Sequence, residues 1–295
     1  MSTPEVPERD RLSELPDDYL HRILRFLDTQ QVITQLSSLS RRWQYLWATM
    51  PFVTLRSGSE KFGNLLLLLR DGTVPLHAFC LHSCDGKNFD HAHRWLRHAL
   101  TREFNLLRPV SLSYCFLGSF KILSDTLKIL FITNCYSYVI QVSAPNVCSL
   151  RLTIFGKVHL DRMPFLVSAW VYLCDGGVSH PAQSGYDLIA AICNAQHLEL
   201  FRFNLFLQDI MENSTLEGLS FCKLKSLYIG EWRVIDFYGP LAYFLQCAPN
   251  WAALTLDQWK LKPVSALTRD IGEFRKVRLL LKEKTKPKET EVVWF

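Results

Sequence analysis

Residues 127–135 read LKILFITNC, and their order of apolar residues decides the fold. Leu127 is followed after two residues by Leu130 and Ile132, which are separated by one residue, and Cys135 follows three positions later. An apolar pair with one residue between its members predicts a short strand, because successive side chains of a strand point to opposite faces. This stretch therefore predicts a strand that buries Leu130 and Ile132 and turns Phe131 outward.

The same spacing recurs along most of the chain, about 25 residues apart on average, which is within the range of leucine-rich repeats. Only Ser168 breaks the first apolar position. The ten windows are Met50-Val53-Leu55-Gly58, Leu76-Phe79-Leu81-Cys84, Leu107-Val110-Leu112-Cys115, Leu127-Leu130-Ile132-Cys135, Val147-Leu150-Leu152-Phe155, Ser168-Val171-Leu173-Gly176, Ala195-Leu198-Leu200-Phe203, Leu224-Leu227-Ile229-Trp232, Trp251-Leu254-Leu256-Trp259 and Phe274-Val277-Leu279.

These windows predict an α/β fold in which the strands stack into one parallel sheet of a solenoid. Helical patterns lie between some of the strands. One is DHAHRWLRHALTR at 90–102, whose apolar face would pack on the convex side of the sheet and consists of Ala92, Trp95, Leu96, Ala99 and Leu100. The later windows also resemble the divergent leucine-rich repeats that follow a helical module in many plant proteins.

Residues 10–50 have a different pattern, in which apolar residues recur at helical spacing and are interrupted twice. They predict three short helices. The apolar residues are Leu20, Ile23, Leu24 and Leu27, then Val32, Ile33 and Leu36, then Trp43, Leu46 and Trp47. A module of about 40 residues is too small to bury all of this surface alone, so a partner or a following domain should cover part of it.

This module resembles the F-box of plant F-box proteins, through Asp10-Arg11-Leu12-Ser13-x-Leu15-Pro16-Asp17-Asp18, Leu20-x-x-Ile23-Leu24-x-Phe26-Leu27 and Leu39-Ser40-x-Arg42-Trp43-x-x-Leu46-Trp47. The resemblance implies docking on a Skp-type adaptor and, through it, on a cullin. It places in or near the adaptor contact Leu15, Pro16, Leu20, Ile23, Leu24, Val32, Leu36, Leu39 and Trp43. The alternative is that these residues are simply the core of a small helical bundle.

The composition is that of a folded protein, with 48% apolar and 13% aromatic residues, and no apolar stretch approaches the roughly 20 residues of a membrane span. The N-terminus is acidic and proline-rich, unlike a secretory signal. Nine cysteines without a regular framework predict free thiols in a reducing compartment. We therefore expect a protein of the nucleus or cytoplasm.

The net charge of +5 is concentrated in 275–288, which contain seven cations and one glutamate. This run could be a nuclear-import or nucleic-acid patch, but a solvated terminal strand and tail explains it better. A nucleic-acid partner is unlikely on these grounds, because phosphate binding needs cations aligned along one surface.

Residues 77–98 hold five of the nine histidines together with Cys80 and Cys84, which raises the question of a zinc site. The repeat explains them better, because Cys84 takes the position of Cys115 and Cys135, and the helix has His91 and His98 on its polar face. No C-x-x-C pair, phosphate-binding loop or catalytic motif occurs. The sequence thus predicts no metal, no cofactor and no catalytic residue.

Two kinds of protein fit these features. The first is a non-catalytic substrate receptor of an SCF-type E3 ubiquitin ligase, and the alternative is a leucine-rich-repeat scaffold or binding protein outside a ligase. The predicted organisation is a disordered tail at 1–9, an F-box at 10–50, leucine-rich repeats at 51–281 and a basic tail at 282–295.

The outward strand residues are the candidate target-binding surface. They are unusually aromatic, whereas solvent-facing strand residues are usually polar. The predicted target-binding residues are Phe131, Arg151, Trp170, Tyr172, Glu199, Phe201 and Tyr228. The alternative is that insertions or helices cover part of this face and that these aromatic residues belong to the core.

Overall fold

The structure is a computed structural model that describes residues 11–12, 14–56, 60–82, 89–101, 109–174, 182–203, 220–232, 241, 244–258 and 291–294. The tail predicted at 1–9 lies outside these residues. The three helices predicted at the N-terminus are present: α1 spans Asp17–Leu24, α2 spans Thr29–Gln31 and continues as a π-helical turn over Val32–Leu36, and α3 spans Arg41–Leu46. A 3₁₀ turn at Trp47–Thr49 leads into the sheet.

Among the described residues, ten strands form one sheet in which every pair of neighbours is parallel. In sheet order they are β1 (Phe52–Arg56), β2 (Ala78–His82), β3 (Pro109–Ser113), β5 (Ile129–Thr133), β7 (Ser149–Ile154), β9 (Ser168–Leu173), β10 (His197–Phe201), β11 (Ser226–Trp232), β12 (Ala253–Gln258) and β13 (Glu291–Trp294). The order follows the chain, as the repeat predicts.

The apolar pairs of neighbouring windows lie side by side in this sheet. Leu112, Ile132 and Leu152 occupy one line across three strands and are each at most 1% exposed. Their burial follows from the strand alternation, because every second side chain enters the same core. The core that they join extends from β1 to β12.

The sixth repeat window, predicted at Ser168-Val171-Leu173, lies two residues earlier in the structure. In the structure Leu152 lies beside Val171 and not beside Leu173, so Val171 is the second member of the buried pair. The first apolar position of this window therefore belongs to Leu166, which is 2% exposed, and the break assigned to Ser168 disappears.

A second, three-stranded parallel sheet was not predicted. It contains β4 (Phe116–Leu123), β6 (Tyr136–Ser143) and β8 (Lys157–Leu160), each following one strand of the main sheet. Phe120, Ile140 and Val158 are aligned in it and buried. The repeats here are only about 20 residues long, so a strand replaces the helix on the second side of the core.

Longer repeats carry helices in that position, namely α4 (Glu60–Leu69), α5 (Phe89–Thr101) and α6 (Ala182–Ile192). The predicted apolar face of α5 is in place, because Ala92, Trp95, Leu96 and Ala99 are buried and Leu100 packs against the core. None of the described helices combines the length and hydropathy needed to cross a membrane.

The C-terminal end of the sheet differs from the expected arrangement. The tenth window, Phe274-Val277-Leu279, lies outside the described residues, as does Cys84. The last strand of the sheet is β13, which pairs with β12 and falls inside the range assigned to the basic tail at 282–295.

Candidate functional site

The helical module has a small core of its own, and four of the nine predicted adaptor-contact residues belong to it. Leu20, Leu24, Val32 and Trp43 are between 0% and 8% exposed and pack together with Leu46 and Met50. Their side chains are thus enclosed within the module in this structure. They hold the helices in position, and their assignment to a place in or near the adaptor contact remains a prediction.

The other predicted residues lie at or near the surface. Ile23 is 49% exposed and Leu39 is 62% exposed, Pro16 is exposed, and Leu15 and Leu36 are half-buried. The structure adds exposed apolar side chains that were not among the predicted contact residues, namely Leu12, Tyr19, Phe26, Leu27 and Tyr45, although Leu12, Phe26 and Leu27 belong to the sequence motif. This much exposed apolar surface on a small module is typical of a protein-binding site.

The sequence contains a spacing pattern that indicates part of this exposed apolar surface. Tyr19, Ile23 and Phe26 are spaced i, i+4, i+7, a second apolar stripe beside that of Leu20 and Leu24. One stripe enters the core, and the second remains outside. Phe26 lies two residues beyond the end of α1. The module as a whole thus has more apolar surface than its own core needs, and this excess marks the candidate adaptor surface.

Polar contacts fix the beginning of α1 against α3. Arg42 donates a hydrogen bond from Nε to Asp17 Oδ1 over 3.1 Å, and its Nη2 donates to the carbonyl of Leu15. His21 Nε2 lies 3.2 Å from the carbonyl of Leu46. These contacts join the Leu15-Pro16 segment to the last helix, so both parts of the sequence motif contribute to one surface.

The module is also joined to the sheet. Trp47 packs against both the module core and the main core, and Thr29 Oγ1, on a residue 1% exposed, accepts a 2.8 Å hydrogen bond from the backbone N–H of Thr54 in β1. Buried Arg70 donates hydrogen bonds of 3.3 and 3.1 Å to the carbonyl of Met50. The following domain covers part of the module, as the sequence predicts.

The second candidate surface is the outward face of the main sheet from β5 to β11. The register places five predicted residues in one row across consecutive strands, in the order Phe131, Arg151, Trp170, Glu199 and Tyr228. Tyr172 and Phe201 lie side by side in the next row, two residues further along their strands. The sequence thus brings all seven predicted residues onto one face.

The aromatic rings on this face touch one another. The ring centroids of Trp170 and Phe201 are 5.2 Å apart, those of Phe201 and Tyr228 are 5.3 Å apart, and those of Tyr172 and Phe201 are stacked at 6.0 Å. All four side chains are half-buried. They are not part of the main core cluster among the described residues.

The two charged residues of the row are exposed and differ in their surroundings. The guanidinium carbon of Arg151 is 5.0 Å from the centroid of Trp170 and 6.0 Å from that of Phe131. These are cation–π distances, each worth about 0.5–1 kcal/mol at an exposed position. Glu199 lies on β10, between Trp170 on β9 and Tyr228 on β11, and therefore on the side of Trp170 opposite to Arg151.

A polar network that sequence reasoning missed borders the aromatic rings. Tyr172 Oη donates a 3.1 Å hydrogen bond to Glu231 Oε2, and Arg202 Nε is 3.7 Å from the same oxygen. Burial and the hydrogen bond to Glu231 raise the pKa of Tyr172. Arg202 and Glu231 have φ values of 56° and 55°, a left-handed conformation that is uncommon outside glycine. No residue type in the sequence signals this conformation.

The histidine-rich segment does not form a metal site in the part of the chain that the structure describes. His91 Nε2 lies 2.8 Å from Glu60 Oε2, so this histidine joins α5 to α4. Cys115 and Cys135 are buried as repeat residues, and Cys80 is half-buried. Among the described residues, no three His, Cys, Asp or Glu side chains are grouped so that they could hold a metal ion.

Comparison with known proteins identifies the helical module. Residues 12–55 match the F-box domain family. An F-box/FBD/LRR-repeat protein of Arabidopsis thaliana is 43% identical over 70 residues, which are 24% of this chain and 14% of that protein. An F-box/LRR-repeat protein of Arabidopsis thaliana is 33% identical over 107 residues, which are 32% of this chain and 28% of that protein.

A longer match extends into the sheet. The MEIOTIC F-BOX protein MOF of Oryza sativa subsp. japonica is 25% identical over an alignment of 344 positions including gaps, and the alignment covers 85% of this chain and 72% of that protein. The matches to the two Arabidopsis proteins span less than a third of their length. No solved structure matches the chain.

Proposed function

We propose, from the premise that this chain is a plant-type F-box protein, that it is a substrate-recognition subunit of an SCF-type E3 ubiquitin ligase. The match of residues 12–55 to the F-box domain is the observation that carries this proposal. In this function the F-box docks on a Skp-type adaptor, which links it to a cullin. The exposed apolar stripe of Tyr19, Ile23 and Phe26, with Leu39, is the proposed contact surface.

The sheet supplies the second half of the proposed function, as a leucine-rich-repeat solenoid that binds a target protein. Supporting this are the parallel order of the strands along the chain and the buried apolar pairs that recur at the repeat spacing. The names of two relatives also include leucine-rich repeats. The proposed target surface is the row of Phe131, Arg151, Trp170, Glu199 and Tyr228 with the adjoining Tyr172 and Phe201.

The proposed receptor catalyses no step itself. It would hold lysines of the target near a ubiquitin-conjugating enzyme, which raises their effective concentration. The rigid connection through Trp47, Thr29 and Arg70 suits this function, because an ordered junction limits the volume that the bound target can explore. Such a receptor would act in the nucleus or the cytoplasm.

The test is co-purification of the full chain with a plant Skp-type adaptor, using an Ile23→Asp, Leu39→Asp double variant. Both side chains are exposed, so the variant should keep its melting temperature. Burying an aliphatic side chain is worth about 1.5–3 kcal/mol, so two introduced carboxylates should weaken the complex more than tenfold.

The matched control is Leu68→Asp, at a leucine that is 76% exposed on α4 and outside the F-box. It should bind the adaptor as the unmodified chain does. A chain that binds no adaptor, or a double variant that binds it undiminished, would count against the proposal and favour a scaffold outside a ligase.

A further inference from the structure

Glu199 is an exposed acidic residue among the aromatic side chains on the outward face of the main sheet. It is flanked in register by Trp170 and Tyr228, and the ring of Phe201 contacts both of those rings, at 5.2 and 5.3 Å between centroids. Glu199 thus has an aromatic residue beside it on each neighbouring strand and a third aromatic residue two positions further along its own strand. We refer to Trp170, Phe201, Tyr228 and Glu199 as the Glu199 cup.

Two other charged groups near the cup have contacts within the chain. Glu231 lies near Arg202 and accepts the hydrogen bond of Tyr172, and Arg151 lies against the rings of Trp170 and Phe131. No ion pair involves Glu199 among the described residues. The exposed charge of Glu199 is therefore not balanced by an ion pair among the described residues, and a cation of another molecule could pair with it.

Arg151 shows that a cation can lie between two aromatic side chains of this row. Its guanidinium occupies the gap between Phe131 and Trp170, where ring faces attract a cation. The next gap along the row has the same strand spacing and aromatic walls, but a carboxylate instead of a cation. A cation from outside would gain both the ring attraction and the charge of Glu199.

We propose that the Glu199 cup binds a lysine or arginine side chain of the target protein. This inference rests on the proposed function, because it names the chemistry of the target that the receptor recognises. Aromatic rings arranged around a cation are a known means of recognising ammonium groups. The carboxylate adds selectivity for a positive over a neutral side chain, and it disfavours an acidic one.

The test is selection of a random dodecapeptide library displayed on phage against the full chain. Peptides that bind the unmodified chain should be enriched in lysine or arginine next to apolar residues. Glu199→Gln should weaken a selected peptide about fivefold, the upper value for an exposed ion pair, and Glu199→Lys should shift the selected sequences towards acidic residues. Asp161→Asn removes an exposed carboxylate elsewhere and should change neither result.

Three outcomes would overturn the proposal: no enriched peptide, enrichment without a basic residue, or selected peptides that bind Glu199→Lys undiminished. Adaptor co-purification is measured on the same variants and should be unchanged by both Glu199 substitutions. A failure of the proposed function would appear there as loss of adaptor binding by the unmodified chain, so the two failures are distinguishable.

Discussion

Gly230→Ala should destabilise the protein, although alanine is normally better than glycine in a strand. A Cβ at this position would lie 2.4 and 2.5 Å from two ring carbons of Phe201 and 2.9 Å from Cε1 of Tyr228. Carbon atoms in favourable contact are about 3.5–4.0 Å apart, so the Phe201 ring must move by about 1 Å. Overpacking of this kind costs about 1–3 kcal/mol, whereas relief from the glycine itself would return about 0.5–1 kcal/mol.

The assay is thermal and urea unfolding followed by circular dichroism, combined with a double-mutant cycle. The net loss is up to about 2.5 kcal/mol, so Gly230→Ala should lower Tm by up to roughly 5–10 °C. In a Phe201→Ala background only the 2.9 Å contact with Tyr228 remains, so the same glycine substitution should cost clearly less. An equal loss of stability in both backgrounds would refute the reasoning, because the cost would then not come from the contact with Phe201.

Three further predictions concern stability. Gly63→Ala should cost about 1–3 kcal/mol, because its Cβ would lie 2.2 Å from the ring of Trp95, and an unchanged urea midpoint would contradict this. Arg70→Met should cost about 1.5–3 kcal/mol by leaving the carbonyl of Met50 without its donor, with Arg70→Lys intermediate; equal midpoints for the two variants would argue against the paired donors. Burial raises the pKa of the Cys80 thiol above its ordinary 9.0, so the folded chain keeps a proton that the unfolded chain releases, and stability should fall as the pH rises above about 9. Cys80→Ala should show a shallower fall in urea midpoints between pH 8 and 10, and an identical slope would contradict the assignment.

The main sheet could be predicted because each strand buries an apolar pair in the same core. The register error at Ser168 shows the limit of that signal. In the segment SAWVYL both Ala169 with Val171 and Val171 with Leu173 satisfy the spacing, and only the neighbouring strands decide between them. The second sheet was missed because its strands follow the main strands after only two residues, although Asn134 and Gly156 are turn-forming residue types at two of these junctions.

The candidate adaptor surface shows a different limit. Periodicity identifies apolar helix faces, but Leu20 and Ile23 are equally apolar in sequence, and burial separates them only once α2 and α3 have packed. The outward row of the sheet was easier to predict, because strand alternation assigns a side to each residue. The network of Arg202 and Glu231 depends on backbone conformation that their residue types do not favour.

The hydrogen bond from the backbone N–H of Thr54 in β1 to Thr29 attaches the first strand of the sheet to the helical module. Five strand-to-strand steps separate β1 from β9, which carries Trp170, or about 24 Å at about 4.8 Å for each step. In the proposed function, the number of repeats between these strands would therefore set the distance from the adaptor to the target. Deleting one short repeat would shorten this distance by one strand-to-strand step of about 4.8 Å. It would also rotate the bound target by the twist between neighbouring strands, about 20–25°. Changes in repeat number could thus alter which lysines are reached while every contact at both ends stays the same.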